Sequence, residues 1–118
     1  MAARLENEYG VISIDHEVIA RIAGYAAIEC YGIVGMAAKN MKDGLVQLLK
    51  LESLTKGIKM SVDQNKVSLD LHIIVEYGTN ISAIADNIIS TVKYSVEEYA
   101  GLKVEDVNIF VDGVRVDN

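Results

Sequence analysis

From Val67 to Val75 every second residue is a large aliphatic: Val67, Leu69, Leu71, Ile73 and Val75, with Ser68, Asp70, His72 and Ile74 between them. Successive side chains of a β-strand point to opposite sides. This stretch is therefore a strand with one dry face and one wetter face. The dry face must be covered, and that demand constrains the rest of the chain. A shorter arm, Gly57–Asp63, carries the same alternation in Ile58, Met60 and Val62. The polar Asp63-Gln64-Asn65 turns one arm into the other, so 57–77 is expected to be a hairpin.

Two stripes of helical spacing are available as the cover. Ile19, Ile22, Ala23, Ala26, Ala27 and Cys30 recur on one side of a helix. Asp15 is its N-cap and Glu17 places negative charge in its first turn. Ala20, Ala23, Gly24, Ala26 and Ala27 keep its surface low, so that a neighbour can approach closely. The second stripe, Ile81, Ile84, Ala85, Ile88, Val92, Val96 and Tyr99, belongs to a helix capped by Asn80 or Thr79 and ended by Gly101. A shorter amphipathic helix is expected at Asp43–Glu52, with Asp43 as cap and Leu45, Leu48 and Leu49 inward. Tyr9–Ile14 is expected as a short strand. Val104–Val111 is expected as the last one, before an Asp112-Gly113 turn into a Val114–Val116 tail.

These elements are buried most economically as an α+β two-layer sandwich, a mostly antiparallel sheet with two long helices on one face. The chain has no proline and no linker, so residues 1–118 are expected to form a single domain. On these strand phases the uncovered face carries Lys59, Ser61, Ser68, Asp70, His72, Ile74, Glu76, Asp106, Asn108, Phe110 and Asp112. Ile74 and Phe110, the one phenylalanine in the chain, are out of place on a bare wet surface. With His72 and Asn108 they form a candidate interaction surface.

No spacing in the chain is that of a nucleophile elbow, a phosphate-binding loop or a dinucleotide fingerprint. Asp70, His72, Glu76 and Asp106 could be written as a metal site. Zinc, however, calls for convergent ligands at closer spacing, and alternation on a wet strand yields the same pattern unaided. Cys30 lies on an apolar stripe and is expected as a small buried hydrophobe; as the single cysteine it cannot close an internal disulfide. His16, just after the cap, is expected on the surface of the first turn. No catalytic residue, cofactor or metal is assigned, and an enzyme is not expected.

Charge narrows the partners. Seventeen acids against eleven bases give a net charge of −6, which disfavours nucleic acid. The bare Gly32-Ile-Val-Gly35 spacing matches a nucleotide-clamping loop, yet Ile and Val are the wrong residues to grip phosphate. Between Lys39 and Lys66 the sign reverses, with six bases against three acids. A solvated loop and helix explain that segment most simply. Lys42, Lys50 and Lys56 are nevertheless candidates for meeting an anionic surface or the acidic side of a second copy. No stretch approaches the length of a membrane span and no secretory h-region opens the chain, so a cytoplasmic location is expected.

One further block is unusually specific. Cys30-Tyr-Gly-Ile-Val-Gly-Met-Ala37 ends a helical pattern at a glycine, which tolerates positive φ, and Gly35 marks a close approach to the backbone. Taken in order with Gly10–Ile14, Val18–Ala27, Ile73–Gly78 and Val107–Val114, it resembles the alkaline shock protein family of Gram-positive bacteria, the Gls-type envelope stress response family. The similarity covers roughly residues 9 to 116 and, without a long charged extension, points to its YloU-like branch. The resemblance implies a small cytoplasmic α+β protein of cell-envelope homeostasis and alkaline or general stress, with no established catalytic residues. It implies action through a protein partner or self-association, and an indirect attachment to the inner membrane face. A regulatory module that binds a small molecule or a metabolic enzyme is the alternative.

Overall fold

A central strand, β6 (Lys66–Glu76), organises the computed structural model, which describes residues 2–39, 46–49 and 51–116. One edge of β6 carries two antiparallel strands end to end. β5 (Ile58–Asp63) pairs with Lys66–Leu71, and β3 (Ile33–Lys39) pairs with Ile73–Val75. The other edge is occupied along its whole length by β7 (Lys103–Arg115), which runs parallel. β4 (Val46–Leu48) extends the sheet beyond β3. Gln64 and Asn65, both at positive φ (51° and 63°), make the tight β5–β6 turn. The parallel β6–β7 pair requires a crossover, and the long helix α2 (Ile81–Ala100) supplies it.

α2 and the N-terminal helix α1 (His16–Ile28) lie side by side on one face of this sheet. Beneath them Val67, Leu69, Leu71, Ile73 and Val75 are at most 1% exposed, packed against Ile19, Ala23 and Ala27 of α1 and Ile84, Ile88, Val92 and Val96 of α2. The helix ends follow from their caps. The Asp15 carboxylate accepts from the Glu17 N–H at 2.9 Å, and the Asn80 side chain accepts from the Ala83 N–H at 3.1 Å. Gly101 leaves α2 at φ 72°, its N–H donating to Glu97 O. Small residues set the fit of α1: a Cβ on Gly24 would stand 3.3 Å from Ile58 and 3.4 Å from Leu54. The fold is the expected α+β sandwich, with a mixed sheet in which β6–β7 is the parallel pair among the described residues.

Several local expectations are corrected. Residues Ala2–Asn7 form an unforeseen strand, β1, paired antiparallel with β2 (Gly10–Asp15) as a separate two-stranded arm. Ala3 is buried and Leu5 packs on the core, while Val11 and Ile12 stay half exposed. The helix expected at Asp43–Glu52 is replaced by β4 and by 3-10 turns across Leu51–Gly57, broken at Ser53. Asp43 and Leu45 lie outside the described residues. The apolar spacing there suits a short strand as well as a helix, and β3 provides the partner: Leu49 N–H donates to Met36 O at 2.9 Å.

Tyr99 is not on the inner face of α2; it is 75% exposed, and Ile81 is 44% exposed. The buried row runs Ile84, Ile88, Val92, Val96 and Ala100, so Ala100 takes the place assigned to Tyr99. Asp112-Gly113 is a bulge within an unbroken β7 and makes no turn. Helix α1 already ends at Ile28, with Glu29 right-handed, and the reversal to φ 88° comes later, at Gly32. There a Cβ would sit 2.4 Å from Ile84 Cδ1, so glycine is needed both for the backbone angle and for the passage under α2.

Candidate functional site: the uncovered face of the sheet

On the face of β6 turned away from the helices, Ser68, Asp70, His72 and Ile74 are half buried. β7 runs beside them in register, with Asp70 opposite Asn108 and His72 opposite Phe110. Asn108 Nδ2 donates to Asp70 Oδ1 at 2.9 Å. The His72 and Phe110 rings stack, with centroids 4.9 Å apart and planes 16° from parallel. A carboxylate only accepts, so His72 donates through Nδ1–H to Asp112 Oδ2, 2.8 Å away.

The bulge positions that carboxylate. Val111 pairs with Ile73 and Gly113 with Ile74, which leaves Asp112 as the extra residue of β7. A bulge re-aims the side chain it carries, and here it brings Asp112 back over His72. The result is a braced aromatic: Asp112 fixes the imidazole, and the imidazole backs a Phe110 that remains 45% exposed. An apolar ring held in one orientation loses little entropy on meeting a partner.

Of the seven residues proposed from the sequence, four therefore share two adjacent strands: His72, Ile74, Asn108 and Phe110. Phe110 meets His72 across the ladder, with Ile74 two residues further along the same face. Lys56 is exposed in the last 3-10 turn, apart from this face. Lys42 and Lys50 lie outside the described residues. Asp112 is the member that the sequence reading missed in this role, because Asp-Gly signals a turn and a bulge alike. His72 takes neither Glu76 nor Asp106 as partner, and Asp70 is held by Asn108. Cys30, just past the end of α1, is buried, its Sγ donating to Ala26 O of that helix. His16 is half buried rather than exposed, and its Nε2 has no partner among the described residues.

A second concavity lies across the outer surface of the helix layer. Val18, Ile22, Tyr25 and Ala26 of α1 and Ser95 and Tyr99 of α2 line an open groove of about 480 Å³, with Arg21 and Glu29 at its sides. Of the small residues of α1 only Ala26 borders this groove; Ala20, Ala23, Gly24 and Ala27 are buried and do not line it. All six tyrosines of the chain are exposed.

Known proteins place this geometry in a family. The model of the alkaline shock protein 23 family, described as having a cell envelope-related function, matches residues 4–116. The uncharacterized protein YloU of Bacillus subtilis (strain 168) is 49% identical over 119 residues, covering 100% of this chain and 99% of the relative. A stress response regulator gls24 homolog of Streptococcus pyogenes serotype M3 is 32% identical over 109 residues, covering 90% of this chain and 59% of that longer relative. Two solved structures of MamM-CTD substitution forms share the fold at TM-scores of 0.51 and 0.52. Each is 12% identical and covers 88% of this chain and 100% of the other. Among the described residues no helix is long and apolar enough to cross a membrane. With the family match spanning nearly the whole chain and a full-length relative at 49% identity, the chain belongs to the alkaline shock protein 23 family, whose function is cell envelope-related.

Proposed function

We propose that this protein is a non-enzymatic docking protein of the envelope stress response. It acts on the cytoplasmic side, near the inner membrane face, by associating with itself or with a protein partner. The observation that carries the reading is the braced Phe110–His72–Asp112 cluster on a sheet face uncovered by the chain's own described elements. Aromatic residues held rigidly at a surface are the usual anchors of protein contacts. Phe110→Asp places a charge at the centre of that contact. Size-exclusion chromatography with light scattering should show association by the native chain and its loss in the variant. A native monomer at high concentration that also captures no partner from cells removes the proposal.

Attachment to the membrane would be indirect, or aided by the basic segment. Sedimentation with anionic and neutral vesicles tests the second route. Salt-sensitive binding to anionic vesicles alone, abolished by charge reversal at Lys42, Lys50 and Lys56, supports it.

The helix-layer groove favours a second reading, a regulatory module for a small molecule. Its volume and its two tyrosines suit a flat organic ligand. A ligand that raises the melting temperature of the native chain in a dose-dependent way, and does so less in Tyr99→Ala, would select this reading.

A further inference from the structure

Strand β7 pairs with β6 along one edge, and among the described residues no strand pairs with its other edge. A long open edge is a template for another strand, and this one is blunted at its ends. One bulge sets Glu105 out of register and a second sets Asp112 out. At the N-terminal end the Glu97 carboxylate takes the Val104 N–H at 3.0 Å. The regular stretch between the bulges runs from Asp106 to Val111, beside the docking cluster.

We propose that this edge is closed by the β7 strand of a second copy, antiparallel about a twofold axis at Phe110. This proposal rests on the docking reading and names its occupant. Side-chain chemistry selects the register. Opposed residues must share a face, which puts the axis on a residue and not between two. An axis at Ile109 sets Asp106 against Asp112 twice over, and like charges directly opposed are destabilising. An axis at Asn108 sets the Asp106 carboxylate against the Phe110 ring. An axis at Phe110 instead sets Ile109 against Val111 and Asn108 against the bulged Asp112-Gly113 pair, and with that bulge counted it brings Asp106 towards Arg115 on the shared face, each contact occurring twice by symmetry.

The hydrogen-bonding capacity is also present. Asn108 Nδ2 spends one hydrogen on Asp70 and has a second. Asp112 uses Oδ2 for His72, and among the described residues no donor takes Oδ1, which can accept it. The two Phe110 rings meet at the axis, each backed by its own His72. The assembly is one continuous sheet, with the uncovered faces of both copies joined on one side and four helices on the other.

Charge swapping tests the register in the full chain by sedimentation equilibrium. Asp106→Arg or Arg115→Asp alone should weaken the dimer about tenfold, and the two together should restore it, with unchanged melting temperatures reporting intact folding. A Phe110→Cys, Cys30→Ala chain should oxidise to a cross-linked dimer. Directly opposed Cα atoms in an antiparallel pair are about 4.5–5.5 Å apart, within the ~4.4–6.8 Å span of a disulfide. Asp106→Cys in the same background should not cross-link, since its symmetry mate is eight rungs away, about 27 Å. A monomeric native chain overturns the proposal. So does a dimer indifferent to both single reversals, or one not rescued by the double exchange. If Phe110→Asp still abolishes association in that last case, the docking face stands and the strand-edge pairing alone falls.

Discussion

The two faces of β6 are built from alternate residues of one strand, yet they obey different rules. On the helix side Val67, Leu69, Leu71, Ile73 and Val75 are closed off from water and have no individual chemistry. On the reverse side Asp70, His72 and Ile74 remain half exposed, and two of the three have a named partner on β7. The first face is held by area removed from water, roughly 1.5–3 kcal/mol for each large aliphatic. The second is held by directed contacts worth about 1 kcal/mol apiece. Damage to the first should therefore cost the fold, and damage to the second should cost recognition while leaving the fold.

The largest effect is expected at the dry face. Leu71→Ala should lose about 2–5 kcal/mol, read from the urea midpoint of the far-ultraviolet circular dichroism. Gly32→Ala comes next, at about 2–3 kcal/mol, because the added methyl meets Ile84 Cδ1 and the backbone stays at positive φ. A double variant with Ile84→Val should recover part of the loss, and strict additivity would mean that the two residues do not touch. On the reverse face, Asp112→Asn should cost no more than about 1 kcal/mol in the same titration. It should still reduce partner affinity severalfold, as the imidazole loses its brace. Smallest of all, Lys56→Glu should change stability by less than about 0.5 kcal/mol. A larger loss there would show that the 3-10 turn carries a contact beyond those described.

Legibility in the sequence followed the same division. The dry strand, its hairpin and both long helices were readable because periodicity of 2 or 3.6 is a direct image of one-sided burial. Asn80 and Gly101 were readable as helix ends because a cap is a local hydrogen-bond requirement. Ala2–Asn7 was missed because its alternation, Ala3 and Leu5 against Arg4 and Glu6, spans only four residues, and its pairing depends on β2 rather than on its own residues. Val46–Leu48 was misassigned because so short an apolar run fits either period, and β3 settled the choice. Tyr99 was misplaced by one position on the helix wheel.

At the candidate site, His72, Ile74, Asn108 and Phe110 could be put on one face by counting in twos. What counting could not supply was the parallel register that stacks His72 on Phe110, or the bulge that returns Asp112 to His72. Both are decided by how β7 meets β6 after the α2 crossover. They are long-range outcomes, with no trace in the local order of residues.

The most direct test of the account is a paired measurement on Phe110→Asp: its urea unfolding midpoint and its mass by light scattering, each beside the native chain. The account predicts a midpoint within about 1 kcal/mol of native stability, because the ring lies on the uncovered face, together with loss of association. Association that survives the substitution, or a variant that loses association only because it unfolds, would contradict it.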